Sequence, residues 1–310
     1  MSREILLLVE KCSHAFSFYN LQTGQRETSV ALPEYPHEFV VDQAQRYAYV
    51  GHYGIEHSGI NGAGGHHVFQ IDLHERRLVR SIDLGHYNRL HGMQMDAQDR
   101  LYVLSEEKSA LLVLPEPQTD NAPSRAIGSG GFKSHLFALS RDGQTAYCMN
   151  LLSHTVAKVR PWEPIHTPVL CSPGLKPEGY ALSEDEQTLF VTNRISQTLA
   201  AIDTATMQVR LSVPSRQDPT RLYLHPDGQR LLVTNYGERS ISVVDPLTLQ
   251  ERAHVPTGGR AIALSYHPTQ PLAYVSLDDD RVGIFNLDIC AFVDYLKTQR
   301  EPDVSKVVTL

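Results

Sequence analysis

Short apolar runs alternate with clusters of Gly, Pro, Asn, Asp and Ser along the whole chain, and no stretch keeps a helical period. The runs are rich in β-branched and aromatic residues, as in YALS (180–183), LFVTN (189–193) and ISVVD (241–245). Such segments predict strands joined by hairpins. The pattern also repeats. LFVTNRISQTLAAIDTATMQV (189–209) matches LLVTNYGERSISVVDPLTLQE (231–251) almost position for position. Related segments begin at Leu6, Ala48, Leu101, Ala146 and Ala273. Each unit reads as an inner strand, a turn, a VTN-type strand, an ISVVD-type strand and a polar outer strand. The units start near residues 1, 37, 90, 134, 177, 220 and 260, a spacing of roughly 43 residues that suits one four-stranded propeller blade. The first unit lacks an inner strand, whereas the final EPDVSKVVTL resembles the inner-strand starts KPEGYALS and DPTRLYLH. The expectation is therefore an all-β, seven-bladed β-propeller of four-stranded antiparallel blades, one domain over residues 1–310. The C-terminal strand would join blade one and hide the sheet edges that an open array leaves exposed.

The VTN repeats followed by S-x-x-[ISV]-x-V-x-D resemble the YVTN-type seven-bladed propellers, which are related in shape to surface-layer and lactonase-like propellers. The resemblance covers essentially the whole chain. It implies the fold; for function it implies either an enzyme or a binding scaffold, since that family includes both.

Composition narrows the partners. A hydrophobic share of 41% with 20% charged residues suits a globular chain with a real core. The formal net charge is −7 and no Lys/Arg stripe is present, which argues against nucleic acid and anionic membrane surfaces. The apolar run at residues 5–9 ends in Glu10 and Lys11, too short for a signal core or a membrane span, so a cytoplasmic protein is expected. Cys12, Cys148, Cys171 and Cys290 are far apart and read as reduced thiols.

Binding residues of a propeller are sought at the channel mouth, where inner strands start and second strands end. Aligned on the first inner-strand position, successive units give His37, His91, His135, Glu178, Thr220, Arg260 or Ala261, and Asp303. Three histidines and a glutamate thus fall at equivalent places in four neighbouring blades. Imidazole nitrogens and a carboxylate are ligands for Zn, Fe, Mn or Cu, so His37, His91, His135 and Glu178 are the candidate ligands of a divalent transition metal. In a variant, the three histidines bind and Glu178 serves as an outer partner or general base. Polar groups around a wet channel are the plain alternative.

The ends of the second strands give Glu10, His52, Ser105, Asn150, Asn193, Asn235 and Leu277. The asparagines belong to the VTN repeat and suit turn bonding. His52 and Glu10 depart from it and become candidates for proton transfer, His52 also for an added ligand. Arg194, Arg221 and Arg260 gather on the other half of the mouth, and Arg194 and Arg221 are candidates to orient an anionic substrate.

The stretch GHYGIEHSGINGAGGHH (51–67) lengthens the connection between the second and third strands of blade two by roughly ten residues and predicts a flap over the mouth. His57, His66 and His67 lie in it, with a solvated-loop role or a role as ligands or proton carriers. The leading expectation is a metal-dependent hydrolase or lyase, lactonase-like, acting on a small polar, anionic substrate. The alternatives are a non-catalytic propeller that binds a protein, peptide or metal, and an Fe(II)-dependent oxygenase.

Overall fold

The structure, a computed structural model, describes residues 3–163 and 165–310. Seven four-stranded antiparallel sheets form the blades of a propeller. Blade two comprises Pro36–Val41, Tyr47–His52, His67–Asp72 and Arg77–Asp83, and the next five blades follow the same order from inside to outside. Blade one differs as expected. Its innermost strand is Pro302–Thr309, paired antiparallel to Glu4–Glu10 with Leu6 opposite Val307, and Ala15–Asn20 and Gln25–Ala31 complete the sheet. Among the described residues, no helix is long and apolar enough to cross a membrane.

The second strands explain the unbroken apolar runs. In Glu4–Glu10, the side chains of Ile5, Leu7 and Val9 pack toward Phe39, Val50 and Phe69 of blade two, while Leu6 and Leu8 pack toward Tyr274 and Val282 of blade seven. A strand buried on both faces needs apolar residues at every position, whereas a one-faced strand alternates. The outer strands do alternate, as Glu251–Pro256 shows. The core is thus a ring of seven interblade layers, with blade one locked to blade seven across the closure. Each fully buried Leu, Ile, Val or Phe contributes about 1.5–3 kcal/mol relative to exposure.

Two features position the mouth. The pairing of each innermost strand with its neighbour slips near its start, as between Pro36 and Phe39 in blade two and between Pro177 and Tyr180 in blade five. Such bulges twist the strand and re-aim side chains. The second feature is the loop of residues 53–66, fourteen residues where blades three to six turn in four. Its neck is narrow: Gly54 has φ +72°, and a Cβ there would meet the backbone nitrogen of Gly65 at 2.1 Å. Only glycine tolerates that approach with a positive φ.

Candidate functional site

The bulged starts of three adjacent inner strands turn His37, His91 and His135 toward the axis as a row of imidazoles. Ring centroids are 4.2 Å apart between His37 and His91 and 3.5 Å between His91 and His135. Carboxylates surround the row. Asp303 Oδ2 lies 3.3 Å from His37 Nε2 at one end. At the other, Glu106 Oε2 is 2.5 Å from His135 Nδ1, and Glu178 Oε1 is 3.9 Å from His135 Nε2. Glu38 Oε1 lies 3.7 Å from His37 Nδ1 and 3.9 Å from His91 Nδ1. All seven side chains are buried.

Both of those Nδ1 atoms are buried without a hydrogen-bond partner. Burial is the main reason the imidazoles of His37 and His91 are pushed well below the ordinary histidine value. For His37 the cations of Lys11 and Arg221 add to it, and for His91 the neighbouring His135 and His37 do so. Both rings are therefore neutral at pH 7, the state in which imidazole coordinates metal.

The cations are already engaged. Arg221 Nη2 donates to Glu38 Oε1 at 2.6 Å. Arg194 Nη1 reaches both oxygens of Glu178 at 3.1 and 2.9 Å, while its Nε and Nη2 bond Asp218 at 2.5 and 2.7 Å. Burial alone would raise the Glu178 carboxyl, but Arg194 and then His135 outweigh it and hold it at about 2. Glu38 goes the other way: burial raises it in spite of Arg221. Lys11 is paired with Glu301 and lies 4.0 Å from Asp303.

His37, His91, His135, Glu178 and Asp303, with Lys11, Arg194 and Arg221, line a cavity of about 570 Å³ at the mouth. Tyr53, Glu56, His57 and Ser58 of the long loop form part of its wall. A second cavity of about 500 Å³ lies along the channel, lined by Gln94, Tyr180, Tyr223, Tyr266 and Lys306. Arg221 lines both and its partner Glu38 lines the second, so their ion pair stands at the boundary between the two. The loop is tied down over the mouth. Arg89 donates from Nε and Nη2 to Gly62 O at 3.1 and 2.7 Å and from Nη2 to Ile60 O at 2.9 Å, and Lys133 Nζ donates to Ser58 O at 2.7 Å. Arg89 Nη1 also reaches Glu106 Oε1 at 3.4 Å, and Tyr53 donates its hydroxyl to that oxygen at 3.0 Å.

The structure thus brings together His37, His91, His135, Glu178, Arg194 and Arg221, with contacts that redistribute their expected parts. Glu178 faces a guanidinium rather than an open coordination position. Arg194 and Arg221 face carboxylates rather than free space. The donor atoms that converge belong instead to His37, His91 and Glu38, within 4.8 Å of one another.

Glu10 and His52 are not brought to this cavity. The Glu10 carboxylate accepts from Ser17 and Tyr19 at 2.5 and 2.6 Å and from the backbone of Gln299 at 2.7 Å, fastening blade one internally. His52 lies under Gly65 beside His67 and Phe69, and burial, followed by His67, lowers it to about 4. Of the loop histidines, His57 lines the cavity while His66 and His67 do not. Asn150, Asn193 and Asn235 donate to Thr155, Thr198 and Ser240 across their turns, the structural role their motif suggests. Arg260 sits over the Tyr236 ring, 5.0 Å from its centroid, and 3.9 Å from Asp278.

No known family model matches the chain, and no curated protein matches it in sequence. Solved structures do match. The periplasmic gluconolactonase PpgL of Pseudomonas aeruginosa superposes with a TM-score of 0.77 at 16% identity, covering 98% of this chain and 99% of that one. A candidate 6-phosphogluconolactonase of Bacteroides uniformis gives 0.77 at 13% identity over 99% and 100% of the two chains. A chain of the mitotic checkpoint complex gives 0.76 at 13% identity over 90% and 83%. These likenesses show the fold. At such identities they are shared by enzymes and by a component of a protein assembly alike.

Sequence reasoning missed Glu38, Glu106, Tyr53, Lys11, Asp218 and Lys176. Glu38 was legible in principle: it and Arg221 both stand one place after the first inner-strand position, the only two charged residues there in the seven units. Lys11, Tyr53, Glu106, Arg194, Tyr236 and Asp278 likewise stand one place after the residue taken as the end of the second strand in six of the seven units. Five of them line the cavity, and the sixth, Glu106, bonds His135.

Proposed function

We propose that the chain is a metal-dependent hydrolase of the lactonase type, acting on a small polar, anionic substrate in the mouth cavity. The observation that carries this reading is the pair of buried, unpartnered Nδ1 atoms of His37 and His91 on either side of one carboxylate oxygen of Glu38. Tetrahedral ligands held about 2.0–2.2 Å from a metal are about 3.3 Å from one another, so separations of 3.7 and 3.9 Å need only slight closure. His37, His91 and Glu38 would hold a divalent transition cation. When bound, it supplies a Lewis acid and lowers the pKa of water.

The remaining residues divide the other tasks. Glu106 orients His135 through Nδ1 and leaves Nε2 toward the cavity, the arrangement of a general base held by a carboxylate. His135 takes a proton from water as the water oxygen bonds the substrate carbonyl carbon. The same proton passes to the departing alkoxide when the ring C–O bond breaks. Lys176 lines the cavity and, among the described residues, makes no ion pair, so it is the cation free to meet an anionic substituent. The loop wall limits water and substrate size. The lactonase names among the structural neighbours support this choice of acyl chemistry.

The test is elemental analysis of the purified protein, with hydrolysis assays on aldonolactones with and without a phosphate. One equivalent of transition metal is expected, lost in His91→Ala and in Glu38→Gln. In His135→Ala, metal should stay and turnover fall by about 10²–10⁴-fold. Lys176→Met should raise KM for the phosphorylated lactone alone. Absence of stoichiometric metal, or metal unchanged in His91→Ala, overturns the reading.

A further inference from the structure

A second group of potential ligands lies outside the mouth cavity. His66 ends the long loop, His67 opens the third strand of blade two, and Asp83 closes its outer strand. His67 and Asp83 are direct partners in the ladder, so their side chains leave the same face of the sheet. The backbone of His66 is fixed by the bond from Leu84 N at 2.8 Å. His66 Nε2 is 3.6 Å from Asp83 Oδ1, the two imidazole centroids are 4.3 Å apart, and one donor atom from each residue falls within 4.8 Å of the others.

We propose that His66, His67 and Asp83 form a second binding site, for a divalent transition cation of the zinc class, on the face of blade two. Two imidazoles and a carboxylate are a ligand set that zinc takes readily, with a further position left to water at this half-exposed place. The framework is built before any ion arrives, because ladder hydrogen bonds hold all three backbones. The His67 ring is confined against Phe69, parallel at 6.2 Å, with His52 6.1 Å away. Unlike Glu38, Asp83 has no Arg or Lys partner among the described residues, so no guanidinium competes with an ion here. The site does not depend on the chemistry proposed for the mouth.

The protein of residues 1–310 with His37→Ala and His91→Ala, which silences the mouth, is titrated with ZnCl2 against a competing chelator. One remaining equivalent is expected with a dissociation constant at or below about 10 μM, weakened at least about tenfold by adding His67→Ala or Asp83→Asn. Should the mouth variant fail to fold, the protein with native His37 and His91 is compared with His66→Ala/His67→Ala, where a loss of one equivalent supports the site. Zinc binding indifferent to His66, His67 and Asp83, or only at about 1 mM and above, overturns it. Two equivalents in the unsubstituted protein mean both sites are real. A single equivalent lost only with His66 and His67 leaves the rim site standing while the mouth proposal fails.

Discussion

Replacing Glu178 by glutamine keeps the shape of the side chain and removes the charge that Arg194 grips at 2.9 and 3.1 Å. The carboxyl is held at about 2 against an ordinary 4.5, and Glu178 is buried, so solvent screening takes little from the effect. At about 1.4 kcal/mol per unit, the native state gains roughly 3 kcal/mol from the ionised form at neutral pH. Arg194 keeps both bonds to Asp218 in the variant, which brings the expected loss to about 2–3 kcal/mol. The sign follows from the depressed folded value. The contribution is complete above the unfolded value of 4.5 and disappears as pH falls toward 2. Equilibrium urea unfolding of the unsubstituted protein and Glu178→Gln should therefore show a full gap at pH 7 that narrows by about 1 kcal/mol at pH 3.5. Metal content measured beside it should not change. A gap independent of pH, or metal lost in Glu178→Gln but not in the unsubstituted protein, refutes the assignment of Glu178 to an ion pair and restores it as a ligand.

Arg221→Met leaves Glu38 buried without its cation and should cost about 3–5 kcal/mol, most of it recovered when Glu38→Gln is added; a double-mutant cycle in urea measures the coupling. Arg89→Ala removes three donations to the carbonyls of Ile60 and Gly62, so proteolysis within residues 53–66 should accelerate while the blades resist; equal protection in both proteins would contradict the tether. His37 and His91 are neutral in the folded protein but take protons in the unfolded chain below about 6.5, so stability should fall with pH from there by up to about 2.7 kcal/mol per unit for the two groups. Urea midpoints between pH 7.5 and 5.5 check this, and a flat profile would show that the two rings are not buried as neutral groups.

The blades were legible because each second strand is buried on both faces and must repeat the same apolar run, while its neighbours keep turn residues at fixed offsets. Even the closure by Pro302–Thr309 could be read, since the last segment carries an inner-strand pattern with no unit of its own to complete. Ion pairs between blades leave only a positional trace, visible once the repeats are aligned. Arg221 and Glu38 meet from 183 positions apart, and nothing near either residue announces the other.

The site was half legible for a reason that lies in strand geometry. Alternation makes every side-chain assignment depend on register, and a one-residue slip moves a residue to the opposite face. Taking the last strand residue as the mouth-facing one selected Glu10 and His52, yet the chain turns there and presents the next residue to the cavity, Lys11 and Tyr53, while in blade three the next residue, Glu106, bonds His135. At the inner strands the bulge does the reverse. In blade two it keeps two consecutive residues on the channel side: His37 lines the mouth cavity and Glu38 the channel cavity, with Glu38 Oε1 still 3.7 Å from His37 Nδ1, where strict alternation would turn one of them away. The carboxylate nearest the unpartnered nitrogens is therefore the one that a period of two assigns to the wrong face. Glu178, chosen for its register, lies in a strand whose bulge delivers it to Arg194 instead. Aligning repeats thus locates the mouth but not the donor set, and any reading of a propeller mouth from sequence should carry both the aligned position and the residue after it until contacts decide between them.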